Sequence, residues 1–214
     1  VMMKRVFILM LLLGFGSLAF AQKAPAKKPN IIIILADDMG FSDVGCFGSD
    51  IQTPNINALA KGGMVMTQFY NASRCCPSRA SLLTGLYQHQ AGVGDMVNTR
   101  PQPAYEGYLN NNCVTIAEAI KAGGYNTYMA GKWHVGTAPE HWPVKRGFDH
   151  YFGLIDGASS YFHPTTPYRP NQHLTIALDD KPFTPGPGWY STNAYADYAV
   201  KYIKDNKATG KPFF

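Results

Sequence analysis

The sequence predicts an α/β fold with a mostly parallel or mixed central sheet flanked by helices, on three observations. A β-branched run without polar alternation fills residues 30–36, which is typical of a strand buried on both faces. Amphipathic segments such as residues 114–122 stop at paired glycines, as helices commonly do. Strands and helices predicted in this way alternate along the chain, which favours a parallel sheet covered by helices.

Each further element has its own local signal. Thr53 followed by Pro54 is typical of a helix start, with proline in the first turn. Between residues 136 and 190, glycine, proline and aromatic residues predict long loops, which often line substrate pockets. The sequence predicts strands at residues 30–36, 64–70, 125–130 and 211–214, and helices at 53–61, 80–84, 114–122 and 194–205.

The amino-acid composition limits which classes of function the chain can have. The 214 residues match one domain or most of one, and 46% are hydrophobic, so the chain can bury a sizeable core. The formal net charge is +5, but no dense run of lysine and arginine occurs. We therefore predict an ordinary protein surface and no nucleic-acid partner.

The first 21 residues predict a cleavable signal peptide. Lys4 and Arg5 precede an apolar stretch that is too short to span a bilayer, and Ala19-Phe20-Ala21 is a small-x-small cleavage site. We expect cleavage near Ala21-Gln22, a linker over residues 22–29, and a periplasmic or secreted protein without a stable membrane anchor.

Asp37-Asp38 comes directly after the predicted strand at residues 30–36. In open α/β sheets, ligands bind at the carboxyl ends of strands, and paired carboxylates supply the oxygen ligands of Ca²⁺ or Mg²⁺. The same residues are also common in a solvated turn or a helix cap. Both interpretations stand at this point.

Four cysteines occur, and two of them, Cys75 and Cys76, are adjacent ahead of a predicted helix. A helix N-terminus lowers the pKa of a thiol and can activate it. A buried structural cysteine or a disulfide is an equal alternative on chemistry alone, and the pairing of Cys46, Cys76 and Cys113 stays open.

Lys132 and His134 alternate along an extended segment, so both can face the same side. An ammonium group beside an imidazole suits an anionic substrate and proton transfer. The alternative is a surface lysine at the end of a strand, next to a histidine that packs in the core.

Together these motifs resemble the sulfatase family of the alkaline phosphatase superfamily. The segment 75–79, Cys-x-Pro-Ser-Arg, followed by Leu-Leu-Thr-Gly at 82–85, is similar to the signature that formylglycine-generating enzymes read. Only Cys75 has the required spacing to Pro77 and Arg79, since Cys76 is one residue too close. Further likenesses to the family lie at residues 30–40, 53–56, 131–136 and 146–153. Residues 89–94 resemble the arylsulfatase-like branch in particular.

The resemblance implies an alkaline-phosphatase-like fold, with residues 30–214 as the N-terminal portion of the catalytic domain. It implies a sulfuric ester hydrolase in which Cys75, converted to formylglycine, is nucleophile and metal ligand. Asp37 and Asp38 would bind Ca²⁺ rather than Mg²⁺, and a formylglycine-generating enzyme would act on Cys75. Arg79 would hold the hydrated aldehyde, Lys132 would contact the sulfate, and His134 would serve as the base.

The resemblance implies two further metal ligands, an aspartate and an asparagine or glutamine, and also another histidine and a lysine. All of these are expected beyond Phe214, so we expect residues 1–214 alone to be inactive. Two alternatives stay open: a phosphonate or phosphate monoester hydrolase of the same superfamily, and a non-catalytic binder of sulfated glycans. Aryl and carbohydrate sulfates are both possible substrates. The aromatic side chains of Tyr161, Phe162, Tyr168 and Trp189 are expected to stack on a phenol ring or a sugar.

Overall fold

The computed structural model describes residues 27–214, so the predicted signal peptide and most of the predicted linker lie outside the described residues. Helices and a mixed sheet form the domain. The helices are α1 (Pro54–Gly62), α2 (Cys75–Thr84), α3 (Ile116–Ala122) and α4 (Ser191–Lys207), and the strands are β1 (Tyr128–Ala130), β2 (His150–Leu154), β3 (Ile176–Leu178) and β4 (Lys181–Phe183).

The four strands form one sheet in the order β1-β2-β3-β4. β1 pairs with β2 in parallel, whereas β2 with β3 and β3 with β4 are antiparallel. The pairing continues past β1, because the backbone N–H groups of Trp133 and His134 donate to the carbonyls of Leu154 (2.8 Å) and Ile155 (3.0 Å). This extension holds residues 131–134 in place beside the central strand.

The helix ends agree with the sequence signals. Thr115 caps α3 through a capping box, in which its hydroxyl accepts from the Glu118 N–H (3.1 Å) and the Glu118 carboxylate accepts from the Thr115 N–H (2.7 Å). α2 ends at Gly85, whose φ of 69° suits a residue without a β-carbon.

Two hydrophobic clusters cover the two faces of the sheet. The first packs α2 and α3 around Trp133 and Tyr151, which are both fully buried. The second packs α4 against β2, where the Phe152 and Tyr198 rings stack with centroids 3.5 Å apart. The predicted mixed sheet flanked by helices is therefore present.

Buried Arg146 ties its own segment to the loop before α3 and to α3 itself. Its guanidinium donates to the carbonyls of Leu109 and Cys113 and forms an ion pair with Glu118 (3.1 Å). Because these acceptors are mostly backbone carbonyls, Arg146 has a structural role, and its charge is neutralised within the fold.

The prediction of a buried strand at residues 30–36 is wrong in this structure. The segment is extended, but its side chains are exposed, with 62% of Ile32 and 81% of Ile34 accessible. It is attached to the described sheet region by a hydrogen bond from the Ile31 N–H to the Phe213 carbonyl (2.9 Å). Phe213 in turn forms a parallel bridge with Asn126.

Two further expectations about strands are also wrong. Residues 64–70 form no strand, and 77% of Phe69 is exposed. Conversely, residues 136–190 contain three of the four named strands, where the sequence predicted only loops. β3 and β4 are three residues each, which is too short for a recognisable alternation of apolar and polar residues. Within residues 27–214, the helices are all too short or too polar for a bilayer crossing.

We predict that Gly153→Ala destabilises the domain by about 3 kcal/mol, at the upper end of overpacking effects. A β-carbon at residue 153 would lie 1.8 Å from the Gly131 carbonyl oxygen, on a backbone with φ of 155°. Urea denaturation of the variant measures the loss. The matched control is Gly186→Ala, where a β-carbon meets no atom within 4 Å. Equal unfolding midpoints for the two variants would contradict the prediction.

Candidate functional site

Cys75 is the first residue of α2, and a tight loop presents it there. The Asn71 side chain accepts from the Ser73 N–H (2.7 Å), which holds Ser73 at a φ of 62°. The Ser78 hydroxyl accepts from the Ala72 N–H (3.1 Å) and so ties the loop to the first turn of the helix. The Cys75 side chain is consequently half-buried at a helix N-terminus, where the helix dipole favours negative charge.

Arg79 lies one helical turn after Cys75, on the same face of α2. It is 7% exposed. Its Nη1 donates to the Lys132 carbonyl (2.6 Å), and its Nη2 donates to the Asp37 carboxylate (3.0 Å). The helix is thereby joined to the segment after β1 and to the segment after residues 30–36.

Asp37 bridges two cations, because its other oxygen accepts from the Lys132 Nζ (2.8 Å). Desolvation acts to raise the pKa of the carboxyl, but hydrogen bonds and charge from Lys132 and Arg79 outweigh it and lower the pKa below its ordinary value. Asp37 is therefore ionised at neutral pH and holds both basic side chains in one place.

His134 is buried with a strained backbone. Its φ is 57°, which is uncommon for a residue other than glycine, and 5% of it is exposed. Its Nδ1 has no hydrogen-bond partner within residues 27–214. Burial, followed by the charges of Lys132 and Arg79, lowers the pKa of His134 to about 4. The imidazole is therefore neutral at pH 7, with a buried nitrogen available to a ligand.

The sulfur atoms of Cys75 and Cys76 and one ring nitrogen of His134 lie within 4.8 Å of one another. Burial, and then the proximity of Cys75, raises the pKa of the fully buried Cys76 thiol to about 12. Cys76 is therefore a neutral thiol at physiological pH and a poor nucleophile. None of the four cysteines, all within the described residues, forms a disulfide.

The structure thus brings together five of the six side chains proposed from the sequence. Cys75 and His134 are neighbours, and Arg79, Lys132 and Asp37 are linked by hydrogen bonds. Asp38 is exposed, at a φ of 53°, and it is not part of the compact cluster of possible ligand atoms found in residues 27–214.

Sequence reasoning missed Gly157. A β-carbon there would lie 2.2 Å from Cε1 of His134, so the backbone at this position lies directly against the imidazole. No sequence signal distinguishes Gly157 from the other glycines in the loop-rich segment. The contact joins residues 23 positions apart, and only the pairing of β1 with β2 brings them together.

Two carboxylates among the described residues could bind a hard cation such as Ca²⁺. Asp37 and Asp38 supply adjacent, solvent-accessible carboxylates, and carboxylate oxygen is the preferred ligand of Ca²⁺. The thiols and imidazole of the neighbouring cluster are softer ligands, so oxygen ligands at position 75 would require chemical conversion of that thiol.

A protein-family model described as Sulfatase matches residues 29–214. The chain is 39% identical over 215 residues to an uncharacterised sulfatase of Schizosaccharomyces pombe, covering 92% of this chain and 38% of that protein. It is 40% identical over 189 residues to an arylsulfatase of Klebsiella aerogenes, covering 86% of this chain and 41% of the relative. The chain thus spans about two fifths of the length of these relatives.

Solved structures show the same similarity. The crystal structure of Ps i-CgsB in complex with k-i-k-neocarrahexaose matches with a TM-score of 0.76 and 34% identity, over 88% of this chain and 44% of that one. The structure of BT4656 in complex with its substrate D-glucosamine-2-N,6-O-disulfate matches with a TM-score of 0.68 and 28% identity, over 87% and 33%.

We predict that Gly157→Ala raises the pKa of His134 toward the ordinary histidine value near 6.5. The added methyl group would displace the imidazole from its buried position and so remove part of the desolvation that depresses the pKa. An NMR titration of the His134 ring protons measures it. Gly62→Ala is the control, since a β-carbon there meets nothing within 4 Å. An unchanged titration in Gly157→Ala would refute the proposed packing role.

Proposed function

Because the chain belongs to the sulfatase family, we propose that the protein hydrolyses sulfuric esters through Cys75 after its conversion to formylglycine. The observation that carries the proposal is the convergence of a helix-terminal Cys75, two basic side chains and a neutral buried imidazole at one place. Cys75, Arg79, Lys132 and His134 are the proposed catalytic residues.

A formylglycine at position 75 would supply a hydrated aldehyde, one hydroxyl of which would attack sulfur while the S–O bond to the alcohol or phenol breaks. Loss of the proton from the second hydroxyl would then eliminate sulfate and restore the aldehyde. The start of α2 suits this role, because unpaired backbone N–H groups and the helix dipole stabilise developing negative charge there. A formylglycine-generating enzyme is the partner that the conversion requires. The buried Cys76 thiol is neutral, so it does not compete as a thiolate.

Arg79 and Lys132 are proposed to stabilise the charge that builds on the sulfate oxygens. Their side chains are 9% and 12% exposed, so water screens them little and their interaction with an anion is strong. Asp37 fixes both cations before substrate arrives, and such preorganisation makes electrostatic stabilisation effective.

His134 is proposed as the base that accepts a proton from the group at position 75. With a pKa near 4 in the free protein, it is in the proton-accepting form over the whole physiological range. Its Nδ1 is free of other hydrogen bonds among the described residues, and its ring nitrogens lie beside Cys75.

Ca²⁺ is proposed to bind Asp37, Asp38 and the converted residue 75, rather than Mg²⁺. The ion would supply positive charge near the reacting oxygens. Asp38 is exposed and can offer its oxygen atoms. Asp37 is ionised, and each of its oxygens has a second lone pair besides the one that accepts from Arg79 or Lys132, so it would offer those lone pairs to the ion. We further propose export through the signal peptide at residues 1–21, with a periplasmic or secreted location.

We predict that mass spectrometry of the protein from its native host finds an aldehyde at position 75 and a thiol at position 76. Cys76→Ser is the matched control and should leave the conversion intact, whereas Cys75→Ala should abolish hydrolysis of 4-nitrophenyl sulfate. A plain Cys75 thiol together with absent turnover would favour a non-catalytic glycan binder. Faster hydrolysis of 4-nitrophenyl phosphate or a phosphonate ester would favour the phosphate or phosphonate hydrolase.

We predict that chelation of Ca²⁺ lowers turnover and that Asp38→Asn raises the Ca²⁺ concentration needed to restore it by about tenfold or more. Asparagine also tolerates a positive φ, so the variant removes the charge without disturbing the backbone. Asp50→Asn, at another exposed aspartate, is the control. If both variants responded to Ca²⁺ like the unaltered protein, Asp38 would not be a ligand.

A further inference from the structure

The loop after β2 begins at the proposed base. Gly157 lies against the His134 ring, and the backbone then continues through residues 158–162. Tyr161 follows Gly157 by four residues, and four extended residues span at most about 14 Å. The backbone of Tyr161 therefore lies within about 14 Å of the backbone that contacts the His134 ring.

Hydrogen bonds fix the loop. The Ser160 hydroxyl accepts from the N–H groups of Phe162 (3.2 Å) and His163 (3.1 Å), which closes a tight turn. The Tyr161 carbonyl accepts from both the N–H (2.9 Å) and the hydroxyl (3.0 Å) of Ser191, at the start of α4. A loop held in this way loses little conformational entropy when it binds a ligand.

The fixed loop presents aromatic rings to solvent. Tyr161 is 63% exposed and Phe162 is 59% exposed, and both rings pack beside Tyr190, with centroid distances of 6.0 and 5.2 Å. Exposed ring faces on a preorganised loop suit stacking against the apolar face of a sugar. Trp189, expected to take part, instead packs in the core against Phe152 and Phe183.

Beside these rings lies a cavity of about 550 Å³. It is an open hollow with a mostly apolar surface, lined by Ala158, Ser159, Ser160, His163, Thr166, Pro167 and Tyr168. Residues 157–172 contain no carboxylate, and the Arg169 guanidinium lies 5.4 Å from the Tyr168 ring centroid. A mostly apolar hollow of this size suits the apolar face of a sugar ring, and one phenol ring would leave most of the volume empty. The absence of carboxylates means that no fixed negative charge in this segment would repel a second sulfate.

We propose that residues 157–168 and Tyr190 form the subsite for the sugar next to the sulfated one, so that the substrate is a sulfated oligosaccharide. This inference rests on the proposed function. It favours carbohydrate sulfates over aryl sulfates as substrates. In this inference, substrate specificity is determined by side chains that do not contact the reacting sulfur. Tyr161 and Phe162 are binding residues in it, and His134 and Lys132 keep their proposed roles.

The test compares two substrate types in the protein that carries this sequence. A Tyr161→Ala, Phe162→Ala double variant is assayed with 4-nitrophenyl sulfate and with oligosaccharides from carrageenan, fucoidan, heparin and chondroitin sulfate. We expect kcat/KM to fall at least about tenfold on the preferred oligosaccharide, which is about 1.4 kcal/mol. Turnover of 4-nitrophenyl sulfate should stay within about twofold. Tyr87→Ala, at another exposed tyrosine, is the matched control and should change neither.

Direct binding separates this inference from the proposed function. Calorimetry of the same oligosaccharides with a Cys75→Ala protein requires no turnover. Binding that depends on Tyr161 and Phe162 supports the subsite even if no sulfate ester is hydrolysed, in which case only the proposed function fails. Equal losses of activity on both substrate types would overturn the subsite. So would unchanged binding and turnover of the oligosaccharides in the double variant, which is also the result expected if another part of the protein covers these rings.

Discussion

The candidate site depends on one carboxylate. Asp37 accepts hydrogen bonds from Arg79 on α2 and from Lys132 after β1, and thereby connects three segments that are distant in sequence. The segment that carries Asp37 is otherwise only loosely attached to the described domain, since its isoleucines are exposed. Two buried cations without this carboxylate would repel each other at close range. The same contact therefore orders the N-terminal segment and makes a concentrated positive charge tolerable.

The backbone between β1 and residue 134 distributes side chains to opposite sides. Gly131 has a φ of 117°, and its carbonyl oxygen lies so close to Gly153 that residue 153 has no room for a β-carbon. Beyond it, Lys132 reaches Asp37, Trp133 enters the core, and His134 turns into its pocket with a positive φ. Backbone strain of this kind persists only where the surroundings enforce it. Here the pairing with β2 and the burial of Trp133 provide that enforcement.

The sequence predicted that the helices exist, because Thr115 and Gly85 carry strong local signals. It placed residues 75–79 in a turn, however, whereas α2 already begins at Cys75. It also identified Cys75, Arg79, Lys132 and His134 as a group, although through resemblance rather than through periodicity. It could not predict exposure at residues 30–36, since the same isoleucines fit an inner strand equally well. Nor could it find Gly157, whose role follows only from a contact across β1 and β2.

The charges of the site connect substrate binding with proton transfer. After burial, Lys132 and Arg79 are the groups that depress the pKa of His134, and they are also the groups proposed to hold the anionic ester. An anion bound between them would offset their effect on the imidazole. The pKa of His134 would then rise when substrate is present, so the proton affinity of the base would increase at the step that delivers a proton to it. A histidine with an ordinary pKa would be partly protonated before substrate arrived, so less of it would be in the proton-accepting form.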